Sequence, residues 1–230
     1  NRLRKVDFNQ GLDARLLDEK KMALLTEIAI KPMRIAFDHI SMEELYISRI
    51  RMAARHGILN LSNYILYNYS DTPEDFYERL RINCELNEEL GTKIYSFPMK
   101  YIPLTHKNRS YVGQNWNRKL IRGVQCILLA TRGMVSPRLE FFEAAFGRNE
   151  KEFLAIANMP DEYIINRRLH ESNGAADWLK IYYSLSTPQK NILFEIHKEG
   201  KVTESDFNRT SSEKFKKLLE HYIKAERIEK

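Results

Sequence analysis

The sequence predicts an α/β protein: a partial (β/α) barrel of about four parallel strands followed by an all-helical C-terminal region. Short apolar segments recur at 5–10, 33–38, 58–67 and 93–99, the first running into a polar, Gly-containing turn. Segments of helical length separate them, and strands that alternate with helices pair in parallel through crossover connections. Beyond Pro103 the alternation stops and only helical patterns follow.

The first unit is strand 5–10, which leads through Asn9-Gln10-Gly11 toward a helix at about 18–29. Asp18 suits its N-cap, and Leu16, Leu17, Met22, Leu24, Leu25 and Ile28 supply an apolar stripe. Strand 33–38 follows Lys31-Pro32, and Ser41-Met42-Glu43-Glu44 then spells a capping box, closed by His56-Gly57. Strand 58–67 leads into Thr72-Pro73-Glu74-Asp75, an N-cap with proline at the first helical position, and the helix stops at Gly91. After strand 93–99, helices are expected at about 115–131, 138–146, 149–157, 160–169, 174–185, 187–199 and 210–226. Three domains result: a partial barrel over 1–104, a basic loop and helical extension over 105–173, and a helical or winged-helix-like cap over 174–230.

Four strands in about one hundred residues do not close an eight-stranded barrel, which typically takes roughly 250 residues. Since residue 1 is Asn and the chain opens on a strand, the first barrel strands are expected upstream of it. The edge beside strand 5–10 then needs a cover, because unpaired backbone groups invite association. The missing N-terminal barrel segment, the C-terminal helices, a second copy or an accompanying chain would serve.

Composition narrows the class. The 230 residues are 43% apolar and 30% charged, ordinary for a soluble globular protein. No apolar run approaches a bilayer span, no secretory h-region is present, and a cytoplasmic, membrane-free protein is expected. Cys84 and Cys126 are the sole cysteines and stand 42 residues apart in helical patterns, which fits buried free thiols rather than a disulfide framework or CxxC metal site.

The net charge of +6 has a local source: Lys107, Arg109, Arg118, Lys119 and Arg122 occur without an acid among them and alternate with Tyr111 and Trp116. Cations among stacking aromatics suit nucleic acid. The same residues suit the cover of a phosphate-bearing cofactor pocket, or a solvated face.

Parallel barrels work at the C-terminal ends of their strands, where the following loops converge. That rule selects Asn9, Gln10, Asp13 and Arg15 from the first unit, and Asp38 and His39 from the second. It takes Asn63, Tyr64, Tyr67 and Asn68 from the third unit, and Ser96, Met99, Lys100 and Tyr101 from the fourth. Asp13 and Asp38 are either an acid and base couple or structural partners of Arg15 and His39. His39 has no second His or Cys at ligand spacing, and the chain contains no GxSxG, GxxxxGK[ST] or GxGxxG motif.

Three segments carry a family resemblance: Asp7-Phe8-Asn9-Gln10-Gly11-Leu12-Asp13-Ala14-Arg15-Leu16-Leu17, Arg34-Ile35-Ala36-Phe37-Asp38, and 62–75 from Ser62 to Asp75. In this order and spacing they resemble the later part of a radical S-adenosylmethionine barrel, closest to members that often carry an N-terminal cobalamin-binding domain. Residues 67–74 occupy the place of a GLPGET-like turn, with Asn68 and Ser70 where Gly is usual. The similarity covers about 5–104, and Arg109-Ser110-Tyr111-Val112-Gly113 and Trp116-Asn117-Arg118 look like its continuation.

The resemblance implies S-adenosylmethionine as cofactor, with Gln10 and Arg15 on its polar groups, Asp38 on a ribose or substrate, and Asn63 and Tyr64 near the adenine or ribose. Asp13, His39, Tyr67, Lys100, Arg109 and Arg118 are expected as substrate or phosphate contacts. The family's CxxxCxxC loop and GGE-like turn are not in this sequence. The [4Fe–4S] cluster therefore requires upstream cysteines, cobalamin belongs at most to the parent protein, and the chain alone is expected to be inactive in radical chemistry. Two functions follow: the C-terminal portion of a radical enzyme, or a non-catalytic adaptor for nucleic acid or protein derived from such a barrel.

Overall fold

The computed structural model describes residues 5–106, 109–129, 131–172 and 174–228. Its strands are β1 (Met33–Arg34), β2 (Asn60–Tyr67) and β3 (Lys93–Lys100). Its helices are α1 (Glu19–Thr26), α2 (Glu43–Arg55), α3 (Pro73–Leu90), α4 (Arg118–Leu129), α5 (Leu139–Phe146), α6 (Glu150–Asn158), α7 (Asp161–Ile165), α8 (Arg167–His170), α9 (Gly174–Tyr183), α10 (Thr187–Glu199) and α11 (Glu213–Ile228). The chain divides into two compact units, Asn1–Tyr101 with Gly133–Ala145, and Ile102–Arg132 with Phe146–Lys230.

The first unit is mixed α/β. Its sheet has the order β1-β2-β3 and both pairings are parallel, with Arg34 opposite Ser62, Ser62 opposite Tyr95 and Tyr64 opposite Phe97. Pro98 is accommodated because β3 is an edge strand, where a missing N–H donor is tolerated. α2 and α3 form the crossovers. Their starts and stops are written locally: Thr72 and Asp75 make a reciprocal capping box at the head of α3, Pro73 follows the cap, and Gly91 ends the helix at φ +64°.

Successive strand residues point to opposite faces, and the helices cover one of them. On that face Asn63 meets Tyr46 of α2, Tyr67 packs its ring 5.2 Å from Phe76 of α3, and Ser96 meets Asn83. Phe37, just beyond β1, stacks on Tyr46 at 4.2 Å between ring centroids. Arg34, Tyr64, Leu66, Phe97 and Met99 occupy the opposite face and retain partial to substantial exposure.

Two expectations are corrected. Residues 5–10 do not form a regular strand; they touch the β1 edge through single parallel bridges at Val6–Ile30 and, further on, Leu12–Ile35. The cause is the turn between them, in which Gly11 takes φ +83° and donates its N–H to Phe8 O at 2.8 Å, lifting the intervening residues off the ladder. The Ser41 capping box also does not form. Residues 40–42 make a 3-10 turn, His39 Nδ1 accepts the Ser41 N–H at 3.1 Å, and α2 begins at Glu43.

Among the described residues of the second unit, helices joined by loops are the only regular elements. Trp116, Trp178, Phe153, Phe215 and Leu218 are fully buried and form its core. Trp178 meets the Tyr222 ring edge-on at 6.3 Å, and the Tyr222 hydroxyl donates to the Asn158 carbonyl at 2.6 Å, joining α9, α11 and α6. The helices on either side of Gly174 therefore share one core rather than forming separate 105–173 and 174–230 bodies. Among the described residues of 174–230 there is no strand to make a wing.

Candidate functional site at the strand ends

The C-terminal ends of the strands are held by a buried cation. Arg79 of α3 has no solvent exposure, and its guanidinium donates to Phe37 O at 3.2 Å, Asp38 O at 3.1 Å and Leu66 O at 2.8 Å. It also donates to the Asp71 carboxylate at 2.9 Å, on the loop after β2. Burial pulls the Arg79 pKa down and the carboxylates of Asp71, Asp75 and Asp38 oppose it. One planar donor set thus ties the ends of two strands and the β2–α3 loop together. The loop is fixed further by Asn68 at φ +69°, whose amide donates to Tyr101 O at 3.1 Å.

At the edge of this mouth, Asp13 accepts from Arg15 through three side-chain hydrogen bonds of 2.7–3.1 Å. The Arg15 guanidinium draws the Asp13 pKa below the usual carboxylate range, and Asp13 in turn raises that of Arg15. Asp38 is exposed and close enough for its charge to add to the stabilisation of the Arg15 cation. Of the alternatives for the two carboxylates, Asp13 has the ion pair with Arg15. His39 is turned toward Ser41, with Nδ1 2.8 Å from its hydroxyl. Gln10 lies exposed in the turn before Gly11, and Lys100 ends β3 in register with Tyr67.

The open sheet face holds a second cluster. The Arg34 guanidinium lies 5.2 Å from the Tyr64 ring centroid and 5.9 Å from that of Phe97, donates to Ser62 Oγ at 2.9 Å, and is held by Asp7 at 2.9 and 3.0 Å. Its hydrogen bond with Asp7 pulls the carboxyl down and pushes the guanidinium up. The Tyr64 hydroxyl donates to Asn9 Oδ1 at 3.1 Å, which links this cluster to the turn of residues 7–11. Two rings, a planar cation and exposed polar turn groups make a surface suited to a flat ring with polar edges.

Asn63 and Tyr67 stand elsewhere. Asn63 is 1% exposed, on the helix-covered face, and its amide donates to the Tyr46 hydroxyl at 2.8 Å. The Tyr46 hydroxyl donates onward to Asn83 Oδ1 at 2.7 Å, so Asn63 belongs to a buried polar chain within the core. Tyr67 is buried against Phe76 on the same side. Strand alternation separates both from Tyr64.

Comparison with protein-family models, curated proteins and solved structures returned no match for this chain. What remains is the chemistry of the residues. They do not fit an iron–sulfur cluster: Cys84 is buried, its thiol lies 3.6 Å from Ser136 O, and burial pushes its pKa up to about 12. Cys126 is buried in the second unit, and among the described residues no three His, Cys, Asp or Glu side chains converge as a metal site.

The basic stretch belongs to the second unit. Lys107 lies outside the described residues, as does Asn173 at the Gly174 break. Arg109 and Arg118 are exposed, whereas Lys119 and Arg122 bind Asp161 at 2.7 and 2.8 Å. Trp116 has no exposure and offers no stacking platform; Tyr111 is half-buried and packs edge-on to His106 at 5.1 Å. Among the described residues no helix is long and apolar enough to cross a membrane.

The strand-end rule selects neither Arg34 nor Arg79 as a site residue. Each had a signal. Arg34 is a charge inside an apolar strand, and Arg79 lies on the same helical stripe as Phe76, Leu80 and Asn83.

Proposed function

We propose that the α/β unit is the cofactor- and substrate-side portion of a radical S-adenosylmethionine barrel, whose cluster-binding strands are supplied by a segment or chain outside this one. The observation that carries the reading is the one-sided sheet. Both crossover helices lie on one face of parallel strands, and the other face presents Arg34, Tyr64, Phe97 and Met99 with exposure remaining. In a closed barrel such a face lines the lumen.

On this reading the Arg34, Tyr64 and Phe97 surface takes the flat adenine, and Arg15 and Asp38 at the edge take polar groups of the cofactor or substrate. Gln10 is available on the adjoining turn. The residues of this chain bind and orient, and Asn63 and Tyr67 support the sheet from behind. The chain supplies no cluster ligands, so no chemical step is assigned to it. The exposed residues 5–10, including Val6 and Phe8 at 39% each, are where a preceding strand would add.

Titration calorimetry with S-adenosylmethionine tests the binding half. Weak saturable binding is expected, weakened roughly tenfold or more in Arg15→Ala, since a hydrogen bond to a charged group contributes about 1.5–3 kcal/mol. Absence of saturable heat would remove the cofactor assignment; unchanged affinity in Arg15→Ala would remove that residue from the site. Anaerobic reconstitution of the chain alone should give no iron–sulfur absorbance, and cluster assembly that depends on Cys84 or Cys126 would overturn their structural role.

A further inference from the structure

The helical unit contains a cavity of about 350 Å³ whose lining includes none of the strand-end residues. Pro160, Val202 and the ring of Tyr222 give it an apolar wall. The His197 imidazole, also on the wall, meets the Tyr222 ring edge-on at 5.0 Å between centroids.

Most charges around the cavity are engaged by the protein itself. Asp161 accepts from Lys119 at 2.7 Å and from Arg122 at 2.8 Å, Glu162 accepts from the Asn166 amide at 2.6 Å, and Lys201 has an interaction of its own. Two groups differ. Arg118 is exposed, and no hydrogen bond or ion pair joins it to another described residue. His197 is 1% exposed, and neither ring nitrogen has a hydrogen-bond partner among the described residues. Buried polar groups in native proteins are ordinarily paired, so an orphaned imidazole on a cavity wall marks a place for a polar guest. Burial, aided by the Lys119 charge, keeps the ring neutral, which leaves it one N–H donor and one acceptor nitrogen.

We propose that this cavity binds a small aromatic carboxylate whose ring carries a hydroxyl group. The planar guanidinium of Arg118 offers paired donors that match a carboxylate, and one unpartnered cation balances one negative charge. The flat ring lies against Pro160, Val202 and Tyr222, where aromatic contact adds to the burial of apolar area. A hydroxyl both donates and accepts, so it satisfies a His197 nitrogen in either tautomer. Because Arg118 is exposed and His197 buried, the carboxylate stays near water and the hydroxyl goes inward. A volume near 350 Å³ is at the small end of the range of ligand pockets and suits a single-ring acid. The inference stands apart from the barrel reading, since every residue it uses lies in the helical unit.

Calorimetry on the full chain tests it with para-hydroxybenzoate and para-hydroxyphenylpropionate, two acids of different reach. At least one should bind saturably, and the tighter of the two is then compared with its amide, which lacks the charge, and with the analogue that lacks the hydroxyl. Arg118→Ala should weaken binding of the acid roughly tenfold or more, with the melting temperature unchanged. Loss of the hydroxyl should weaken it about fivefold in the parent protein and not at all in His197→Leu. That ratio is taken within one protein and does not depend on the variant's stability. Arg15→Ala should leave the affinity unaltered, which separates this site from the strand-end site. No saturable binding of either acid, or an undiminished affinity in Arg118→Ala, would overturn the proposal. An amide that binds as well as the acid would overturn the carboxylate assignment, and a hydroxyl preference that persists in His197→Leu would overturn the role of the imidazole.

Discussion

Arg79 and Asp71 form an ion pair 2.9 Å apart in which the side chains are 0% and 4% exposed, with Asp71 on the β2–α3 loop and Arg79 eight residues on, inside α3. A guanidinium is so placed only because its donors also reach the carbonyls of Phe37, Asp38 and Leu66. Removing either charge leaves the other buried without a counter-charge, which costs far more than the intact pair contributes.

Arg79→Leu should therefore destabilise the α/β unit by about 3–5 kcal/mol, with Asp71→Asn costing less because an amide oxygen still accepts. Urea titration followed by far-ultraviolet circular dichroism would measure both. A loss in Arg79→Leu no greater than that of an ordinary surface substitution would show that the cation does not hold the strand ends.

Tyr46→Phe keeps the ring stack with Phe37 but removes the hydroxyl between Asn63 and Asn83. Two buried amides then lose a partner, and a loss of about 1–3 kcal/mol is expected. Because the network lies on the covered face, S-adenosylmethionine binding measured well below the melting temperature should be unchanged. A selective loss of binding with stability intact would move Asn63 back into the cofactor site.

The parts legible in the sequence were those written locally. Thr72-Pro73 and Gly91 set the ends of α3 through short-range caps, and Asp18 caps α1 by accepting the Lys21 N–H at 2.8 Å. Residues 5–10 have strand composition, but the left-handed Gly11 turn breaks their ladder, and composition alone does not show where a glycine turns. The family resemblance puts Asn63 and Tyr64 at one site; their assignment to opposite faces needs knowledge of which face the helices cover, and both faces carry apolar residues such as Ile65 and Leu66. Gly174 resembles a linker break. In the fold it is a point of close approach, where an added methyl would overlap the Tyr163 hydroxyl, so it joins helices rather than separating domains.

Acid should weaken the helical unit through His197. Burial, aided by the Lys119 charge and opposed by Asp161, holds its pKa at about 3 against 6.5 for the free side chain. Below pH 6.5 the unfolded chain takes up a proton that the folded chain refuses, so this residue costs stability progressively as pH falls from about 6.5 toward 3. Between pH 7 and pH 5 the loss is about 2 kcal/mol. Trp116 and Trp178, the two tryptophans of the chain, both lie in this unit and report its unfolding by fluorescence. The pH 7 to pH 5 difference should shrink by about that amount in His197→Leu, whatever the variant's absolute stability. Identical pH slopes in the two proteins would show that the histidine does not titrate as its burial requires.

Gly123 supplies the sharpest packing test. It sits inside α4, where Ala would be favoured by about 1 kcal/mol on helix propensity alone. The backbone of α6 passes directly over it, and a Cβ at this position would overlap the Ala157 carbonyl group. Backbone atoms held in a helix cannot swing aside as a flexible side chain does, so α4 and α6 must separate. Overpacking of this kind costs about 1–3 kcal/mol or more, enough to outweigh the propensity gain. Gly123→Ala should accordingly lower the melting temperature of the helical unit followed by tryptophan fluorescence, and Gly123→Val should lower it further. A Gly123→Ala protein as stable as the parent would mean that the two helices do not approach this closely in solution.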